Sequence, residues 1–292
     1  MANNLFDTLT DHGFLISDGA TGTNLQQRGL AKGLPGEVWV VENPRAIQQL
    51  YQDFLAAGSD IILSCTFGAS QMRLKQHNLA DRQQEIIETA VGLAKNAIGA
   101  DKKYVAGSMG PLGQLLEPYG TLTPEEAYQA YALQAQFLTK AGVDILLVET
   151  QFDLANEARI AIDACRESST LPLICSFSFD RGTRTMMGVK PEAFADAMNQ
   201  KQVDIIGINC GKSIEDNLTV LNTIKQNTDL PIWFKPNAGL PVVDESGNTV
   251  YDTTPSQMAE MAVKARSIGA SIIGGCCGTT PEHIAAIAGT RH

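Results

Sequence analysis

The chain has 292 residues, 44% of them hydrophobic, and its 22 basic against 32 acidic side chains give a formal net charge of −10. That balance excludes the basic stripe needed to neutralise nucleic-acid phosphates, and no apolar stretch approaches the roughly 20 residues required to cross a bilayer. The start, MANNLFDTLTDHGF, lacks the basic and apolar regions of a secretory signal, and six cysteines are too few for a disulfide scaffold of this size, so the expected setting is the cytoplasm, with cysteines present as thiols or metal ligands.

Eight short apolar runs follow one another at 14–17, 61–65, 104–108, 145–149, 173–179, 205–209, 232–235 and 271–275. Most are continuous rather than alternating, as strands buried on both faces are. Helix-length amphipathic segments separate them. Several open on a signal that suits the first helical turn: Asn43-Pro44, Thr123-Pro124, Lys190-Pro191, Thr254-Pro255 and Thr280-Pro281. Four of the helices run into the next strand through a related phrase, AAGSDIIL, KAGVDILL, KQVDIIGI and SIGASIIG, in three of which a glycine stops the helix. Eight such pairs without a linker predict a single-domain (β/α)8 TIM barrel over residues 1–292. A doubly wound open sheet is the alternative, although no GxGxxG fingerprint accompanies it.

In such a barrel the active site lies where the strands end, so the closing residues carry the information. Cys210 closes the sixth run, and Cys276 and Cys277 close the eighth. Only the seventh strand separates those two, so three thiols converge at one mouth. Three thiolates suit Zn²⁺, one ion per chain, with a fourth position left open as in catalytic rather than structural sites. The competing reading is that cysteines pack as small hydrophobes, and this is the reading adopted for Cys165 and Cys175. Adjacent strand residues point to opposite faces, so only a distorted strand end aims both Cys276 and Cys277 at one ion, and the flanking glycines allow that distortion. A second enzyme reading makes Gly274-Gly275 a phosphate-binding loop.

The segments SDGATGT, GSMGPLG, INCG, KPNAGLP and GGCCGTTPEHI carry a resemblance that runs over essentially the whole chain. It resembles the homocysteine S-methyltransferase family, and within it the homocysteine-binding barrel of cobalamin-dependent methionine synthases. The resemblance implies a (β/α)8 barrel holding zinc through Cys210, Cys276 and Cys277, and conversion of homocysteine to methionine. It also implies that the turn Asp18-Gly19-Ala20-Thr21 meets the amino-acid end of homocysteine through its N–H groups, that Glu149 pairs with the ammonium, and that Ser108 and Asn237 line the site. No protein nucleophile is expected, because the substrate's own thiolate attacks.

The chain ends soon after the cysteine pair, without corrinoid-binding modules, and Gly278 stands where S-methylmethionine-using relatives often carry arginine. The expected methyl source is therefore methylcobalamin on a separate corrinoid protein. S-methylmethionine or S-adenosylmethionine is the alternative donor, and a non-catalytic corrinoid-partner or regulatory barrel is the alternative from another class.

Overall fold

The apolar runs are continuous because both faces of each strand are covered. The computed structural model describes residues 5–243 and 249–291, so positions 1–4, 244–248 and 292 of the expected domain lie outside the described residues. Seven strands come first: β1 (Leu15–Ile16), β2 (Ile61–Leu63), β3 (Tyr104–Met109), β4 (Ile145–Gln151), β5 (Leu173–Phe177), β6 (Ile205–Cys210) and β7 (Ile232–Pro236). A hairpin of β8 (Pro241–Val243) and β9 (Thr249–Tyr251) follows, and β10 (Ile272–Ile273) is the last. Eight strands pair in the order β1-β10-β7-β6-β5-β4-β3-β2, every pair parallel. A parallel bridge between Ser17 and Ile61 joins the two ends of that series. The result is a nearly closed (β/α)8 barrel rather than an open sheet.

The helices begin where the sequence placed them. Helices Pro124–Ala141 and Pro255–Ile268 each start with a reciprocal capping box, Thr123 with Glu126 and Thr254 with Gln257, which satisfies N–H groups that the first turn leaves open. Alternate strand residues divide the core. Ile16, Ile62, Val105 and Ile206 pack outward against helices, while Leu15, Ile61, Tyr104, Ile145, Ile205 and Trp233 form an inner cluster with Leu5 of helix Leu5–His12. This apolar plug fills the N-terminal end of the barrel. Toward the other end the buried side chains turn polar, with Ser17, Asp18, Ser108, Glu149, Ser176, Asn209 and Lys235 all enclosed.

The four related phrases have a physical cause. In three of them the aspartate that precedes the strand accepts the N–H that opens a neighbouring strand or follows its first residue: Asp60 from Ile16 at 2.9 Å, Asp144 from Val105 at 2.8 Å and Asp204 from Leu173 at 2.8 Å. In the fourth, Ser271 Oγ accepts from Ile232 N at 3.2 Å. Every second strand of the barrel is thus tied at its start to the neighbour before it, which gives those N–H groups a hydrogen-bond partner.

Candidate metal centre and substrate cavity

Cys276 and Cys277 lie beyond the end of β10, in a turn that Thr279 N closes on Cys276 O at 3.1 Å. Leaving the strand removes the opposite-face restriction, and both sulfurs reach the same place. Cys210 arrives from the end of β6 with φ 59°, in the left-handed region that costs a residue with a Cβ about 1–3 kcal/mol. Asn217 Nδ2 holds that conformation by donating to Cys210 O at 2.7 Å. The three Sγ atoms lie within 4.8 Å of one another, with 2.9 Å between those of Cys210 and Cys276. Around an ion with sulfur bonds of about 2.3 Å, tetrahedral donors lie about 3.8 Å apart, so the cluster is of the right size once Cys210 and Cys276 separate by about 1 Å.

The cluster favours ionisation of one thiol, Cys277, and opposes it at Cys210 and Cys276. Hydrogen bonds from Cys210 and then Cys276 pull Cys277 down to about 3, with Tyr251 as a further donor, whereas donation to its neighbours raises Cys210. Cys65, by contrast, is pushed well up by burial and then by Glu37, so it stays a thiol. Burial likewise raises Cys165, to about 12, and Cys175, and both sit in the core.

The sulfurs open onto a cavity of about 450 Å³ whose walls include Gly19, Ala20, Thr21, Leu34, Phe67, Ser108, Glu149 and Lys235. Glu149 is buried and accepts a short hydrogen bond from Ser108 Oγ. Burial pushes its carboxyl up to about 7, against the opposing influence of Lys235. Asp18 accepts from Leu63 N at 2.7 Å and from Lys235 Nζ at 2.6 Å, and burial raises its carboxyl despite that lysine. Glu149, Lys235 and the three cysteines therefore border one cavity, with Asp18 paired to the lysine behind it.

The model of the homocysteine S-methyltransferase family matches residues 15–290. The chain belongs to the homocysteine S-methyltransferase family. Its relatives include the methionine synthases of Mycobacterium tuberculosis and Mycobacterium leprae, each 30% identical over 97% of this chain. The chain spans only 25% of the length of those proteins. The homocysteine methyltransferase MmuM from Escherichia coli, crystallised in an oxidised form, is similar at 26% identity and a TM-score of 0.81, over 98% of this chain and 99% of that one. A metallated form of the E. coli protein shares the fold at 24% identity with a TM-score of 0.83 over the same shares.

In this member of the family, Cys210, Cys276, Cys277, Gly19, Ala20, Thr21, Ser108 and Glu149 all border one cavity. Asp18 lies immediately behind it, and two expected contacts fall elsewhere. Asn237 bonds backbone, its Nδ2 donating to Gly211 O at 3.0 Å and its Oδ1 accepting from Cys277 N at 3.0 Å, so it fastens the two cysteine-bearing loops together. Ala20 N donates to Thr279, at 3.1 Å to Oγ1, and is not free for a ligand. The phosphate-loop reading fails for the same kind of reason. Gly274 N donates to Phe234 O, Gly275 N to Asp18 O and Cys276 N to Pro236 O, which leaves no N–H cradle there.

Three functional residues carry no assignment from sequence. Lys235 pairs with Asp18. Asn209 accepts from Thr150 N at 2.9 Å and Ser176 Oγ at 2.6 Å while its Nδ2 faces Cys210 Sγ at 3.5 Å and Cys276 Sγ at 3.9 Å. Tyr251 touches Cys277. The INCG and KPNAGLP segments held the first two in plain view, but their partners are 59 and 217 residues away.

Proposed function

We propose that this chain uses zinc, held by Cys210, Cys276 and Cys277, to convert homocysteine to methionine. The observation that carries the reading is the opening of three clustered sulfurs onto a cavity that also holds an unpaired carboxyl group. Bound zinc supplies the positive charge that keeps a thiol ionised at neutral pH while its sulfur remains nucleophilic. An ordinary thiol with a pKa near 8.5 is a few per cent thiolate at pH 7, so full ionisation is worth roughly 30-fold, or about 2 kcal/mol. Orientation has to supply more, since well-placed reactants gain about 7–11 kcal/mol.

The chain's own residues supply that orientation. Glu149, steadied by Ser108, would take the substrate ammonium, and the turn at Asp18-Gly19-Ala20-Thr21 would receive the carboxylate through the N–H groups of Gly19 and Thr21, since Asp18 N donates to Ile61 O and Ala20 N to Thr279. Asp18 and Lys235 neutralise each other and hold the turn against β2 and β7. Leu34, Pro35 and Phe67 keep water off the reacting sulfur.

For the donor we favour methylcobalamin carried by a separate corrinoid protein. Among the described residues, nine of the ten exposed large hydrophobic side chains, among them Leu115, Tyr119, Met186, Met187, Val242 and Val243, lie on segments that follow the C-terminal ends of barrel strands. An apolar rim of that extent suits a docked protein better than a small cation. S-methylmethionine or S-adenosylmethionine is the second reading. Methionine formation should be measured with each donor in turn, on zinc-loaded and zinc-stripped protein. No methionine from any donor, with zinc demonstrably bound, would overturn the assignment.

A further inference from the structure

The β8–β9 hairpin does little for the core. Val242 and Val243 are 51% and 70% exposed, and Val250 is 43% exposed. Tyr251, at its end, is different. It pairs with Pro241, its ring is half-buried against Gly278, and its hydroxyl is directed at the neighbouring Cys277 sulfur. Space for the ring exists because residue 278 is glycine, at φ 80°: a Cβ there would lie 2.2 Å from Tyr251 Cγ. The foot of the hairpin is fixed to the same loop. Ala238 N donates to Cys277 O at 2.9 Å, Thr253 N donates to Ala238 O at 3.2 Å, and His283 Nε2 meets Thr253 O at 2.8 Å.

We propose that Tyr251 is a positioning residue of the metal centre, presented by this hairpin to donate a hydrogen bond to the Cys277 sulfur. The inference rests on the three-cysteine reading above. Asn209 Nδ2 faces the sulfurs of Cys210 and Cys276. The Cys277 sulfur lies within 4.8 Å of those two sulfurs, with Tyr251 beside it. Once a metal binds, Cys210 and Cys276 give up their S–H protons and can no longer donate. Tyr251 then remains to steady the third thiolate, with a charge-assisted bond of the stronger kind. Tyr251 is not among the residues that wall the cavity, so it supports the cluster without occupying the position a substrate would take. Gly278 and the hairpin form one device: the missing side chain admits the ring, and the hairpin carries it there.

The test is Tyr251→Phe, which keeps the ring and removes only the donor. Zinc affinity is measured by competition with a chromophoric chelator, and the thiolate-to-metal charge-transfer bands are recorded after cobalt(II) substitution. Loss of an outer-shell partner typically costs 10–100-fold in metal affinity, so a loss of about tenfold or more is expected, together with shifted cobalt bands. Gly278→Ala, which displaces the ring, should show the same loss, and the double variant no more than either alone. Zinc affinity within twofold of the parent and an unchanged cobalt spectrum in Tyr251→Phe would overturn the inference and leave the metal reading standing. A parent protein that takes up neither metal overturns both.

Discussion

Lys235 Nζ lies 2.6 Å from Asp18 Oδ1, with both side chains only 2% exposed. The pair joins β7 to the turn after β1 on the flank of the sulfur cluster, and the lysine lies 5.4 Å from the ring of Trp233 in the apolar plug. Removing one partner of a buried pair strands the other charge, typically at a cost of about 3–5 kcal/mol. Lys235→Met should therefore destabilise by that order in urea unfolding. Pairing it with Asp18→Asn should restore a large part of the loss, and a Lys235→Met loss below about 1 kcal/mol would show the pair to be dispensable.

Glu149 gives the protein a characteristic pH response. Its carboxyl is pushed up to about 7 by burial, above the ordinary value of 4.5, so the folded state holds this proton more tightly than the unfolded chain does. The resulting stabilisation is complete below pH 4.5 and is lost as pH rises through about 7. Relative to Glu149→Gln, whose amide does not titrate, the parent should lose on the order of 3 kcal/mol across that window. In turnover the sign reverses, because the ionised carboxylate is the form that pairs with an ammonium. KM for homocysteine should rise below pH 7 in the parent and be high and flat with pH in Glu149→Gln. Parallel stability curves for the two proteins would rule this account out.

Metal dependence should be equally direct. Serine in place of Cys210, Cys276 or Cys277 replaces a soft donor with a hard, weakly acidic hydroxyl. Each variant should lose both stoichiometric zinc and methyl transfer, by at least a hundredfold in turnover, whereas Cys165→Ser and Cys175→Ser should keep the metal. Zinc retained at one ion per chain in any of the first three would exclude that residue as a ligand.

The barrel and the cysteine cluster were legible because their signals are local or topological. Continuous apolar runs mark doubly covered strands, proline after a polar residue marks a helix start, and strand order brings 210 to 276 without knowledge of any side chain. Residues whose roles depend on a distant partner were not legible. A lysine within IWFKP looks like a strand end, and only the fold places Asp18 opposite it. Asn237 has the composition of a pocket residue, yet its amide spends both its ends on the backbone of two loops. The hairpin carrying Tyr251 is short and exposed, so it offers no burial pattern to read.

The β1–β2 seam provides the last expectation, since it is the junction on which closure depends. Named strand pairs join every other neighbour, but here the contact is a single bridge at Ser17 and Ile61. Asp60 reinforces it at the start of β2. Its N–H donates to Ile16 O at 2.7 Å, its carboxylate accepts from Ile16 N at 2.9 Å, and Lys103 and Arg291 converge on the same carboxylate. Asp144 makes the equivalent bond to Val105 N, but among the described residues no ion pair within 4 Å joins it. Asp60→Ala leaves a buried N–H and two cations without their partner, so it should cost about 3 kcal/mol, against about 1–2 kcal/mol for Asp144→Ala. Native-state hydrogen exchange locates the effect, because the Ile16 amide should lose protection in Asp60→Ala while the Val105 amide keeps it. Equal stability losses in the two variants, with Ile16 still protected, would mean that the seam is held by the helices outside it rather than by this carboxylate.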